Sequence, residues 1–127
     1  MKQILFDDDA RSKLLEGITL MAKAVKSTLG PQGGTTLIES SNHTRGMTVT
    51  KDGVTVAAFV SLDDPFENAG AQIIRQAAIE TNNGAGDGTT TSTVLARSIL
   101  TEAQKFIASG VSPIELQRGI EASVKQI

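Results

Sequence analysis

Cysteine is absent from this 127-residue chain, which excludes disulfides and thiolate metal sites, so any metal has to sit on oxygen. Tryptophan and tyrosine are absent too, and only four phenylalanines occur. A core must therefore be built from Ile, Leu, Val and Ala, which favours packed helices over an aromatic-rich sandwich. There is no excess of charge of one sign: the formal net charge is −2, and Lys and Arg are scattered along the chain. Without a basic field to hold a polyanion, nucleic acid is not an expected partner. Long apolar runs are missing as well. The longest, residues 56–60, falls far short of a membrane span, and the first six residues lead into Asp7-Asp8-Asp9, too short and too acidic for a signal or transit peptide. The single histidine, His43, stands in a polar loop with no ligand partner at metal spacing and reads as surface. These absences together lead us to expect a soluble, cytoplasmic protein.

What remains is enough for one domain, since a chain of this length can bury about two thirds of its unfolded surface. Residues 2–6 read as a short strand. The aspartates after them offer N-caps to a helix whose stripe is Leu14, Ile18, Met21, Val25 and Leu29, and which is expected to stop at Gly30-Pro31. Residues 35–60 are rich in Thr and Val, with breaks at 40–46 and at Asp52-Gly53, and read as hairpin-like strands. Asp64-Pro65-Phe66-Glu67 is a helix start, with that helix expected to fail around Asn82-Asn83-Gly84. A third helix, carrying Val94, Leu95, Ile99, Ala103 and Phe106, should be closed by Gly110; Ser112-Pro113-Ile114-Glu115 opens a fourth with Leu116, Ile120 and Val124. Its apolar period is still running at Gln126-Ile127, so a longer parent sequence is expected. The fold class predicted is mainly α with a small β-hairpin.

Two glycine-bounded turns carry the chemistry. The run Gly84-Ala85-Gly86-Asp87-Gly88-Thr89-Thr90-Thr91 sets three glycines before a helix start and three hydroxyls on its first turn. Unpaired N–H groups and the positive end of the helix dipole suit phosphoryl oxygens. Asp87 would repel a bare phosphate, so a phosphate site here requires it to hold a bridging Mg²⁺; the alternative is a plain N-cap on a structural turn. The second turn, Thr28-Leu29-Gly30-Pro31-Gln32-Gly33-Gly34, is either a helix stop or an opening for a ligand. Lys51-Asp52-Gly53 is either a hairpin turn or a cation beside phosphate with a carboxylate that orients water. Neither glycine-rich turn continues into Gly-Lys-Ser or Gly-Lys-Thr, so a P-loop is excluded.

Taken together, Thr28-Leu29-Gly30-Pro31, Thr50-Lys51-Asp52-Gly53, Asp64-Pro65-Phe66-Glu67-Asn68 and Gly86-Asp87-Gly88-Thr89-Thr90-Thr91 resemble the GroEL-type (group I) chaperonins. The resemblance runs from Asp9-Ala10-Arg11 through Gly70-Ala71-Gln72 to Arg118-Gly119-Ile120. It implies that residues 1–127 are the N-terminal segment of a multihelical, ATP-binding equatorial domain. It further implies that Thr28, Leu29, Gly30 and Pro31 line the nucleotide, with Lys51 near its phosphates. Asp87 would bind Mg²⁺, Gly86 would belong to the nucleotide-binding turn, Gly88, Thr89, Thr90 and Thr91 would donate to phosphate, and Asp52 would position the attacking water. K⁺ held through oxygen atoms of Thr28 and Lys51 is implied too. Gln32 and Gly34 stand where the family usually has basic residues, and the segment 41–45 is unlike the common hairpin tip, as in a divergent or viral member.

The function so implied is an ATPase subunit of a ring-forming, protein-folding chaperonin. A hairpin at about residues 36–49 would reach a neighbouring subunit, and unfolded clients and a co-chaperonin lid would act through the parent protein. The domain that grips unfolded protein and a further catalytic Asp are absent from these 127 residues, so the segment alone is expected to be inactive. The alternative is a non-catalytic assembly module of the same fold; an unrelated Mg-dependent phosphotransferase lacks a full set of catalytic groups here.

Overall fold

The computed structural model describes residues 3–31, 33–39 and 46–127. Its elements in chain order are α1 (Asp7–Lys26), β1 (Thr36–Glu39), β2 (Met47–Thr50), α2 (Gly53–Phe59), α3 (Pro65–Ala85), α4 (Thr89–Ala108) and α5 (Pro113–Val124). The mainly α class with one small hairpin is what the sequence predicted. The chain divides into two compact units, Met1–Arg97 and Ser98–Ile127, and α4 spans the division.

In the first unit α1 packs on α3. The aspartates expected as N-caps lie inside the first turn of α1 instead; the cap position is Phe6, with no side-chain cap bond. Asp7, Asp8 and Asp9 at this end, and Lys23 and Lys26 at the other, still complement the helix dipole. Residues 3–6 form no strand, and Lys2 lies outside the described residues. The helix ends at Lys26, four residues before Gly30. Ser27 and Thr28 turn their hydroxyls back onto the carbonyls of Ala24 and Val25 at 2.6 and 2.7 Å, and the N–H groups of Thr28 and Leu29 bond three residues back. That tightens the last turn and ends the α-helical ladder. Leu29 therefore leaves the predicted stripe and is exposed, whereas Ile18, Met21 and Val25 are buried.

Ala71, Ile74 and Ala78 of α3 and Val56 and Ala57 of α2 complete this core. Full burial of Met21, Val25, Val56 and Ile74 contributes about 1.5–3 kcal/mol each. The helices meet where neither has a side chain. A Cβ on Gly17 would stand 1.7 Å from the Glu67 carbonyl oxygen, and one on Gly70 would stand 2.0 Å from that of Leu14. Beside this crossing, Lys13 Nζ reaches Glu67 Oε1 at 2.6 Å and Asp64 Oδ2 at 3.2 Å.

Strands β1 and β2 pair antiparallel with Thr36 opposite Thr50 and Leu37 opposite Val49, as the hairpin reading required. The second break was misread. Asp52 is an N-cap, not a strand turn, and residues 53–59 are helical. The β-branched run Val54-Thr55-Val56 favours strand, but the Asp52 carboxylate takes the first orphan N–H groups and Val56 and Ala57 gain burial, so tertiary packing overrides propensity. Arg75 of α3 closes the other end of α2, donating from Nε to the Ala57 carbonyl at 2.7 Å and from Nη2 to the Val60 carbonyl.

Helix α3 starts as predicted: Asp64 Oδ1 accepts from the N–H groups of Phe66 and Glu67 at 2.8 and 3.2 Å, with Pro65 in the first turn. It runs past Asn82-Asn83-Gly84 to Ala85 and closes at Gly86, whose N–H bonds the Asn82 carbonyl at 2.9 Å.

In the second unit Gly110 closes α4 as expected, with Val111 N–H reaching the Phe106 carbonyl at 3.0 Å. Ser112 occupies the N-cap position of α5 but makes no side-chain cap bond, contrary to the capping reading. Leu116, Ile120 and Val124 of α5 line an open apolar groove with Ile99, and none of the residues of α5 is fully buried.

Candidate functional site

The left-handed conformations at Gly86 (φ 73°) and Gly88 (φ 79°) bend the chain sharply on either side of Asp87 and launch α4 at Thr89. L-residues avoid this region, which accounts for both glycines. Asp87 Oδ1 accepts the N–H of Gly88 at 2.7 Å, so one carboxylate oxygen is engaged locally and the side chain stays exposed. The next N–H groups, of residues 89–91, belong to the first helical turn and have no intrahelical acceptor. That turn is pinned from within. Thr93, wholly buried, and Ser92 donate their hydroxyls to the Thr89 carbonyl at 2.8 and 2.9 Å.

The turn after α1 comes to the same place. Thr28 Oγ1 lies 3.3 Å from Thr90 Oγ1, and the two turns enclose a cleft of about 140 Å³ lined by Thr28, Leu29, Gly30, Asp87, Gly88, Thr89, Thr90 and Thr91. Larger hollows occur elsewhere: one of about 530 Å³ lined by Ile99, Leu116, Ile120 and Val124 has apolar walls, and one of about 210 Å³ lined by Thr19, Lys23, Lys26 and Arg97 is cationic but has no glycine turn or helix start in its lining. Chemistry, not size, selects the smaller cleft.

Of the other sequence-predicted residues, Pro31 and Gly86 are chain neighbours of the cleft and do not line it; Gly86 serves as the cap of α3. Lys51 and Asp52 are exposed on the segment between β2 and α2. Asp52 is nevertheless close, because a Cβ on the adjoining Gly53 would meet Thr90 Oγ1 at 2.5 Å and Thr28 Oγ1 at 3.5 Å. Gln32 and the segment 41–45 lie outside the described residues.

The Asp52 carboxylate is tightly held. Its Oδ2 accepts the hydroxyl of Thr55 at 2.6 Å and the Thr55 N–H at 3.0 Å, and its Oδ1 accepts the Val54 N–H at 3.3 Å. The Thr55 hydroxyl is the main reason that this carboxyl is held below the usual range; partial desolvation opposes it, and the N–H groups of Thr55 and Val54 add to the lowering.

For a metal, the described residues contain no cluster of three or more His, Cys, Asp or Glu side chains. A cage made only of protein ligands is therefore not present among them. The donor set fits a hard cation bound by one carboxylate, with phosphate and water oxygens completing the shell, as Mg²⁺ commonly is beside nucleotides. Asp87 is the carboxylate so placed. Sequence reasoning missed three supports: the close approach at Gly53, the buried Thr93, and the Thr55 clamp. The last had a readable signal, an Asp followed three residues later by a hydroxyl residue, masked by the strand-like composition around it.

Residues 21–127 match the profile of the TCP-1/cpn60 chaperonin family. The chain belongs to that family. Among curated chaperonins, Chaperonin GroEL 1 of Rhodopirellula baltica is 53% identical to it over 123 residues, which cover 97% of this chain and 21% of that protein. The chain thus spans about a fifth of the length of this chaperonin. The five helices and two-stranded sheet among the described residues give the equatorial-domain-like, mainly α fold that the chaperonin resemblance implied. No helix among the described residues is long and apolar enough to cross a membrane.

Proposed function

We propose that this chain is the N-terminal segment of the equatorial domain of an ATP-dependent chaperonin subunit and contributes the phosphate end of its nucleotide site. The observation that carries the reading is the meeting of two glycine turns, some sixty residues apart in sequence, around one cleft rich in hydroxyls and helix-start N–H groups. Phosphate oxygens are received by the N–H groups and hydroxyls of Thr89, Thr90 and Thr91, with Gly88 allowing close approach. Leu29, Gly30 and Pro31 flank the nucleotide. Asp87 holds Mg²⁺, which neutralises phosphate charge when bound. Lys51 adds positive charge near the phosphates, and oxygen atoms of Thr28 and Lys51 hold K⁺; the Thr28 hydroxyl gives its proton to the Val25 carbonyl, which leaves its oxygen as an acceptor beside Thr90. Asp52, fixed and anionic, orients the attacking water.

ATP hydrolysis in the full-length cytoplasmic protein drives a ring oligomer that folds captured, unfolded clients with a co-chaperonin. The exposed cross-strand pair Leu37 and Val49 supports the hairpin as a contact with the next subunit. In the full-length protein, Asp87→Ala is expected to abolish Mg-dependent nucleotide turnover. Because Asp87 is exposed, its removal leaves the core intact, and wild-type turnover in this variant would overturn the assignment.

A further inference from the structure

An ordinary aspartate N-cap accepts backbone N–H groups and nothing more, and its carboxylate plane can turn over a broad range about the terminal bond. Asp52 differs because a side-chain donor joins them. Thr55 offers both its hydroxyl and its N–H to Oδ2, at 2.6 and 3.0 Å, while Oδ1 takes a single long bond of 3.3 Å from Val54. Turning the carboxylate plane away from this orientation would break the shortest of these contacts. Oδ2 is thereby saturated, and Oδ1 is left with spare acceptor capacity. On the other side, Thr50 Oγ1 accepts the Asp52 N–H at 3.1 Å, so the backbone of Asp52 is tied as well as its side chain.

We propose that Thr55 is a positioning residue for ATP hydrolysis: its hydroxyl locks the Asp52 carboxylate with Oδ2 turned inward and Oδ1 presented to the attacking water. Thr55 does not line the cleft; it acts through Asp52. The inference rests on the reading that Asp52 orients that water. A water hydrogen-bonded to a fixed acceptor reaches its line of attack more often than one bonded to a rotating acceptor, and small losses of alignment are costly in rate.

The test uses the full-length protein and steady-state ATP hydrolysis. Thr55→Val removes the hydroxyl but keeps the branched shape and the backbone N–H; Thr55→Ser keeps the hydroxyl. We expect Thr55→Val to lower kcat about tenfold with KM and nucleotide affinity unchanged, and Thr55→Ser to restore most of the rate. In an Asp52→Ala background, Thr55→Val should have no further effect, because the group it positions is gone. Wild-type kcat in Thr55→Val overturns the proposal, as do equal losses in the Val and Ser variants or a loss that appears in KM. Full activity in Asp52→Ala instead overturns the underlying role of Asp52. A slow Asp52→Ala beside an unimpaired Thr55→Val defeats only the role given to Thr55.

Discussion

Replacing Gly17 with alanine sets a methyl group 1.7 Å from the carbonyl oxygen of Glu67, in the first turn of α3. Contacts of a Cβ with backbone below about 3.0 Å are not sustained, so the two helices must separate locally by about 1.3 Å. The obstacle is main chain, so no rotamer change relieves it. Overpacking of this kind costs about 3 kcal/mol, the upper part of the usual range, because the crossing also seats Gly70 against Leu14. The better helix propensity of alanine returns about 1 kcal/mol, leaving a net loss near 2 kcal/mol. That corresponds to roughly thirtyfold faster exchange of the α1 and α3 amides through local opening. Hydrogen exchange on the full-length protein reads it directly. Gly119→Ala is the control: a Cβ there meets nothing within 4 Å, so α5 should gain about 0.5–1 kcal/mol. If Gly17→Ala protects its helix as the control does, the close crossing is refuted.

Asp52→Ala should slow hydrolysis by about 100-fold while nucleotide binding survives, measured by single-turnover kinetics and equilibrium titration; lost binding would make Asp52 a structural cap alone. The Lys13–Asp64–Glu67 junction should respond to pH in a definite direction. Burial opposes ionisation of Asp64, but the N–H groups of Glu67 and Phe66 and the Lys13 ammonium prevail and hold its carboxyl below the usual range. Its contribution is present above the unfolded carboxyl pKa of about 3.9 and is lost as pH falls through the lower folded value. Lys13 is shifted upward, chiefly by its bond to Glu67 and then by Asp64, so its share is complete at neutral pH and fades only in strong alkali. Protection of α1 should therefore hold from pH 5 to 9 and weaken in acid, and Asp64→Asn should remove most of the acid dependence. Arg75→Met should loosen the end of α2, seen as faster exchange of the Val60 N–H, with α3 itself unchanged.

Elements set by local rules were readable from sequence. The Asp64-Pro65 start of α3, the stop at Gly110 and the hairpin strands each follow from capping, backbone freedom or alternation within a few residues. Helix α2 was not readable, because Val54, Thr55 and Val56 have strand propensity and only the burial of Val56 and Ala57 against distant helices decides otherwise. The end of α1 was misplaced for a related reason: Ser27 and Thr28 stop the ladder with side-chain bonds before the glycine is reached. At the site, each turn could be recognised alone as a glycine-rich opening, but whether the two meet depends on how α1 and α3 cross. The family resemblance supplied that pairing; composition and spacing did not. The clamp on Asp52 was hidden by the same strand reading that concealed α2.

The grip of Arg75 on the carbonyls of Ala57 and Val60 has a thermal consequence. A seven-residue helix cannot sustain itself in water, so α2 depends on the burial of Val56 and Ala57 and on the hold at its ends, Asp52 at one and Arg75 at the other. Such a segment opens before the core does. If Asp52 aims the attacking water as proposed, warming is expected to release that carboxylate while α1 and α3 remain packed, so that turnover of the full-length protein fails before the core melts. Such a loss should reverse on cooling, and it would set the upper working temperature of the subunit below its melting point.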